Sequence, residues 1–120
     1  MFIAIFCNNA YIAVMPCKTC QPSAPDLANK TWFAKRARIL AALANPARLK
    51  MIVSLSQGEK CVCEMAQEVG LDMSTTSRHL AQLREVGLLE DDRRGNMVFY
   101  ALKATCLPEF LQCLDGFSEQ

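Results

Sequence analysis

The stretch from Gly58 to Leu89, GEKCVCEMAQEVGLDMSTTSRHLAQLREVGLL, limits what this chain can fold into more than any other feature. Its apolar spacing divides it into two short helices about a tight turn. Counted from Ser74, Thr76, Leu80 and Leu83 recur at the i, i+4, i+7 interval of one buried helical stripe. Thr75, Arg78, His79 and Gln82 fall on the opposite face, which is all hydrogen-bonding chemistry. Ser74 is expected to cap the start of this second helix, and Gly87 to supply the left-handed turn that ends it. Ahead of it, Met65, Ala66 and Val69 form a smaller stripe, and Gly70 to Met73 reverses the chain.

Helix, short glycine-containing turn, helix is the helix-turn-helix pattern, whose second helix lies in the major groove of DNA. The flanking segments fit around it. Asp26 to Leu43 reads as a helix with a wide apolar face (Leu27, Phe33, Ala37, Leu40 and Ala41, with Trp32, Ile39 and Leu43 beside it). So broad a face needs two neighbours, its own core on one side and a second subunit on the other. Asn45-Pro46 signals the next helix start, Asn as cap and Pro where its missing N–H costs nothing. There Leu49, Ile52 and Val53 should be buried, Gly58 should end the helix, and Arg48 and Lys50 should point to water or phosphate. Beyond Gly87, Leu88 to Arg93 and Asn96 to Leu102 read as a hairpin about Arg94-Gly95, whose tip offers Arg93 and Arg94 to phosphates or a minor groove. From Thr105 a terminal helix is expected, with Phe110, Cys113, Leu114 and Phe117 as its apolar stripe. With the first helix it is the candidate seam of a homodimer. The expected fold is mainly α with a small two-stranded hairpin, in one domain over residues 26–118 behind an N-terminal arm over residues 1–25.

The formal net charge of +1 lacks the excess of a nonspecific DNA coater, so any contact with DNA depends on local placement. Lys30, Lys35, Arg36, Arg38, Arg48 and Lys50 follow one another with no acid between them. The 7 cysteines (Cys7, Cys17, Cys20, Cys61, Cys63, Cys106 and Cys113) are odd in number, which argues against a closed disulfide framework and for a reducing, cytoplasmic setting. Residues 1–15 are apolar but lack a basic leader and fall short of the roughly 20 residues that span a bilayer, so no membrane partner is expected. Met15 is an alternative start. An enzyme is not expected either: a catalytic cysteine needs a positioned base, and the chain holds 1 histidine, with no glycine-rich phosphate loop.

This order of elements, with NPARLKMI from Asn45, STTSRHLAQLREVGLL from Ser74 and the hairpin, resembles the ArsR/SmtB family of winged-helix repressors over roughly residues 27–117. The resemblance implies a homodimer that binds an inverted-repeat operator in double-stranded DNA and leaves it when a metal or metalloid ion binds. Carried onto this chain, it implies Ser74, Thr75, Ser77, Arg78, His79 and Gln82 as the DNA-facing set, with Arg93 and Arg94 in the wing.

Cys61-Val62-Cys63-Glu64 resembles the CVC-acid motif of the family's arsenite, cadmium and lead sensors. Two thiols at a helix N-terminus lie at the positive end of its dipole, which favours the thiolate that binds soft ions. On a regular helix residues i and i+2 point about 200° apart, so ligation is expected to strain the helix that positions the reading helix. The third ligand stays open. The family's arsenite pattern has another cysteine three residues on, where this chain has Ala66. Cys106 and Cys113 are one source, since a similar C-terminal pair occurs in some arsenite-responsive relatives, although on one helix they would lie about 10.5 Å apart along the axis. Cys17 and Cys20 are another, resembling an arm that completes four-thiolate sites. The expected inducer is As(III), with Cd(II), Pb(II) or Zn(II) as alternatives and oxidation of a cysteine pair as a rival signal. Nickel or cobalt sites need several imidazoles, and the single His79 falls on the presumed DNA face.

Overall fold

A computed structural model describes residues 26–117, so the expectations for the arm, including Cys7, Met15, Cys17 and Cys20, fall outside the described residues. The elements run α1 (Lys30–Leu43), α2 (Pro46–Leu55), β1 (Lys60–Cys61), α3 (Val62–Val69), α4 (Met73–Glu85), β2 (Leu89–Arg94), β3 (Met97–Leu102), α5 (Leu107–Cys113) and a 3-10 turn (Leu114–Phe117). This is the expected helix-turn-helix with a wing. The wing has one strand more than the sequence suggested. Lys60 and Cys61 pair with Tyr100 and Phe99 of β3, giving an antiparallel sheet in the order β1-β3-β2.

Helix α2 sits at the centre, against α1, α3, α4, α5 and β3. Its start is as expected: the Asn45 side chain accepts from Ala47 N at 2.9 Å and Arg48 N at 3.3 Å, with Pro46 in the first turn. Its buried stripe is Met51, Ile52 and Leu55, whereas Val53 is exposed and Leu49 only partly covered. These side chains meet Met65 of α3, Leu80 and Leu83 of α4, Leu88 and Leu89 at the wing entry, Tyr100 of β3 and Leu107 of α5. Complete burial of a residue such as Leu80 stabilises by about 1.5–3 kcal/mol. Thr76 joins this stripe as expected, yet its Oγ1 is buried with no hydrogen-bond partner among the described residues.

Three boundaries differ from the sequence reading. Helix α1 begins at Lys30, because Asn29 caps it by accepting from Trp32 N at 3.0 Å, while Asp26 to Asn29 forms a turn. The cap of α4 is Asp72, not Ser74: its carboxylate accepts from Thr75 N at 2.9 Å and from both the Ser74 and Thr75 hydroxyls at 2.7 Å. The hairpin turns at Gly95-Asn96 with Arg94 opposite Met97, so Arg94 ends a strand instead of forming the loop. In α5 it is Leu107 and Leu111 that face the core, while Phe110 and Leu114 of the expected apolar stripe are 41% and 46% exposed and point outward, as a stripe expected at a dimer seam would. Gly87 does close α4, with a φ of 88° that other residues rarely adopt, and Leu88 N reaches Leu83 O at 3.1 Å.

Leu27, Phe33 and Leu40 remain 86%, 39% and 53% exposed along and before α1, so the wide apolar face of that helix is uncovered in the single chain.

Candidate functional site

Cys61-Val62-Cys63-Glu64 has the spacing of a capping box with cysteine in the place usually held by serine or threonine. The backbone of Cys61 is extended (φ −82°, ψ 165°), its sulfur accepts from Glu64 N at 3.4 Å, and the Glu64 carboxylate accepts from Cys61 N at 3.0 Å. Cys61 is therefore the cap of α3 and not part of its first turn. Its side chain folds back over the helix end, and its Sγ lies 2.7 Å from Cys63 Sγ. The expectation that the two thiols diverge by half a turn, and meet only if the helix loosens, is overturned. An extended cap residue has no helical direction to obey, so both sulfurs share one space with α3 intact.

The electrostatics differ from the expectation too. Cys61 is 2% exposed, and burial, followed by its hydrogen bond with Cys63, pushes its pKa above the usual thiol value despite the helix end beneath it. Glu64 is held below the usual carboxylate range by the hydrogen bonds from the Cys61 backbone and side chain.

The thiols open onto a cleft of about 410 Å³ between three elements: the start of α3, the start of α4 and the tip of the wing. Met73, Ser74 and Ser77 of α4 line one side and Asn96, Met97 and Val98 the other. Cys61 also belongs to β1, opposite Phe99, so the same residue caps α3 and is stitched to the wing. Cys106 and Cys113 do not join it. They lie at the two ends of α5, and no group of three His, Cys, Asp or Glu side chains placed to hold a metal occurs among the described residues. The all-cysteine set expected from Cys61, Cys63, Cys106 and Cys113 is thus not assembled within this chain.

The set expected to face DNA divides in two. Ser74, Ser77 and Arg78 are exposed on the outward face of α4, whereas Thr75, His79 and Gln82 are half-buried on its flank. Arg48, expected to face water or phosphate, turns inward to hold that flank. Its guanidinium donates to His79 Nδ1 at 3.1 Å, to the Ala42 carbonyl at 2.9 Å and to Gln82 Oε1. His79 is correspondingly kept neutral: burial first, then the charges of Arg48 and Arg78, lower its pKa. In the wing Arg93 is exposed, but Arg94 is clamped by both oxygens of Glu59 at 2.7 and 3.0 Å, bonded to Asp92 at 2.9 Å and stacked 4.6 Å over Phe99. The tie of Arg48, the third strand and the methionines beside the thiols were not anticipated. The capping-box spacing from Cys61 to Glu64 was the signal that could have placed the thiols together.

Among the described residues no helix is long and apolar enough to cross a membrane. The sequence model described as "Bacterial regulatory protein, arsR family" matches residues 45–91. The chain is 41% identical over 79 residues to the arsenic resistance transcriptional regulator ArsR1 of Pseudomonas putida, a match that takes in 65% of this chain and 59% of that protein, less than two thirds of its length. It is 35% identical over 91 residues to the HTH-type transcriptional regulator NmtR of Mycobacterium tuberculosis, covering 76% of this chain and 74% of that one. Among solved structures, the homodimeric winged helix-turn-helix DNA-binding domain of a possible ArsR-family regulator from Mycobacterium bovis superposes with a TM-score of 0.68 at 28% identity, over 78% of this chain and 90% of that chain.

Proposed function

Since this chain belongs to the ArsR family of bacterial regulatory proteins, with a winged helix-turn-helix that makes it a DNA-binding regulator and not an enzyme, we propose that it is a homodimeric, ion-responsive transcriptional repressor. It occupies operator DNA through α4 and the wing and is released when a thiophilic ion, As(III) in the first instance, is captured by Cys61 and Cys63. The observation that carries this reading is the contact of the two thiols over the cap of α3, at the junction of the reading helix and the wing. The likeness to an arsenic resistance regulator supports the choice of ion. The uncovered apolar faces of α1 and α5 support pairing of two chains through the first and last helices.

Release then needs no unwinding of α3. An ion between the thiols sits in the cleft that separates Ser74 and Ser77 from the wing tip, and drawing a further ligand into it changes the spacing of the two parts that meet DNA. That spacing is what a dimer must match to two half-sites, so a small change at each site weakens both contacts together. The third ligand for As(III) comes from outside the described residues of one chain: the arm with Cys17 and Cys20, the second subunit's Cys106 or Cys113, or solvent. A second reading, thiol oxidation as the signal, is favoured by the same sulfur contact.

The test is fluorescence anisotropy on the protein's own promoter fragment, with arsenite, cadmium, lead, zinc and peroxide titrated separately into wild type and into Cys61→Ser, Cys63→Ser, Cys106→Ser, Cys113→Ser and Cys17→Ser. Operator affinity should persist in all, and arsenite-driven release should vanish in the first two. Arsenite release that survives both changes refutes the site. Release by peroxide with none by any ion assigns the thiols to redox sensing instead.

A further inference from the structure

Two exposed methionines flank the thiols. Met73 is the first residue of α4 and 55% exposed, and Met97 is the first residue of β3 and 42% exposed; they come from different elements and line the same cleft as Cys61 and Cys63. An apolar side chain left half in water gains little from packing, and neither methionine belongs to the core. What a methionine offers that leucine does not is a polarizable thioether on three rotatable bonds, able to swing into a neighbouring space. No group of three His, Cys, Asp or Glu side chains placed to hold a metal occurs among the described residues, and the two thioethers are the other sulfur atoms lining the cleft.

We propose that Cys61, Cys63, Met73 and Met97 form a binding site for a soft monovalent cation, copper(I) or silver(I), in which thioether sulfur completes the coordination begun by the two thiols. This rests on the reading of Cys61 and Cys63 as the effector site and extends the ions that site accepts. Mixed thiolate and thioether donors select copper(I), whereas zinc is held by thiolate, imidazole and carboxylate. On binding, the thiols release their protons to solvent and the cation keeps its oxidation state, so no oxidant or reductant is consumed. Because Met73 starts the reading helix and Met97 the returning wing strand, a cation that gathers both draws those two elements towards α3.

The experiment is an anaerobic titration of copper(I) against a chromophoric copper(I) chelator, with silver(I) as the redox-inert counterpart, on the full chain. Wild type is compared with Met73→Leu, Met97→Leu, the double variant and Cys61→Ser. Methionine to leucine conserves volume at these exposed positions, and circular dichroism and operator binding confirm folding. The double variant should bind copper(I) about ten- to a hundredfold more weakly, the range typical of losing a supporting group at a metal site. In selenomethionine-labelled wild type, selenium-edge absorption should show copper as a near neighbour, a signal absent from the double variant. Equal copper(I) affinity in wild type and double variant, no copper neighbour at selenium, or no binding by wild type overturns the proposal. Arsenite release that persists in Cys61→Ser overturns the underlying reading instead, whatever the methionine variants do.

Discussion

Replacing Cys61 by serine and, separately, by alanine divides its two roles, capping α3 and presenting a thiol. The sulfur accepts from Glu64 N at 3.4 Å, long for a cap, so its loss belongs at the low end of the usual range, about 0.5–1 kcal/mol. The side chain is 2% exposed, and deleting one buried heavy atom adds about 0.8 kcal/mol of lost burial. Cys61→Ala should therefore cost about 1–2 kcal/mol, and each kcal/mol lowers the melting temperature of a domain of this size by about 4–8 °C. Serine is a better cap than cysteine and keeps the reciprocal bond to Glu64, so Cys61→Ser should stay within about 1 kcal/mol of wild type. Urea unfolding of all three proteins gives the stabilities, and anisotropy on the promoter fragment gives operator affinity with and without arsenite. Serine should hold DNA as wild type does and ignore arsenite. The reasoning is wrong if serine is destabilised as much as alanine, since the sulfur would then be serving the fold by something other than capping, or if serine is released at the wild-type arsenite midpoint.

Other positions give independent checks. Thr76→Val removes the buried hydroxyl that has no partner and should raise stability by about 1 kcal/mol in urea unfolding; a loss of that size would mean the hydroxyl is bonded. His79 has a depressed pKa in the fold, so its contribution to stability is whole above the unfolded value near 6.5 and is lost as the pH falls through that value towards the folded one. Melting temperature should accordingly decline below about pH 6.5, and His79→Gln should flatten that decline; an unchanged slope would place the titration elsewhere. Arg93→Ala should reduce the salt slope of operator binding by about 2 for a dimer, one phosphate per chain, while Arg94→Ala should reduce it less, because Glu59 and Asp92 already balance that charge. The reverse order would assign the phosphate contact to Arg94.

The parts of this molecule legible in the sequence are those governed by local periodicity and punctuation. Leu80 and Leu83, Asn45-Pro46 and Gly87 behave as their spacing and chemistry dictate, because a helical stripe and a cap are decided within a few residues. The caps at Asn29 and Asp72 missed by only a few residues, whereas other misplaced features depend on partners distant in the chain. Arg48 looks like a free cation until α4 brings His79 and Gln82, 31 and 34 residues on, against it. Arg94 looks like a wing-tip cation until Glu59, 35 residues back, is folded beneath it. Lys60-Cys61 is too short to read as a strand and becomes one only because β3 offers it an edge. The relation of Cys61 to Cys63 failed for a different reason. As members of one helix they oppose each other, and a shift of the helix boundary by a single residue converts opposed side chains into touching ones.

That one-residue boundary has a mechanistic consequence. Were both cysteines inside α3, capturing an ion would have to compete with the helix's own hydrogen bonds, and the cost would fall on the fold. With Cys61 outside, the only helical bond in play is the weak one from Glu64 N to sulfur, which the Glu64 carboxylate backs up from the other side. In the proposed mechanism an ion would then be accepted at small cost to α3, leaving its free energy for the cleft walls, where Ser74, Ser77 and the wing tip stand. Coupling to DNA is limited by the difference in ion affinity between the DNA-bound and free arrangements of those walls, and not by how tightly the thiols hold the ion. Substitutions that widen or fill the cleft without touching sulfur, such as Ser77→Val, should therefore shift the ion concentration needed for release while leaving ion affinity of the free protein nearly unchanged. Equal shifts in both would locate the coupling at the thiols themselves.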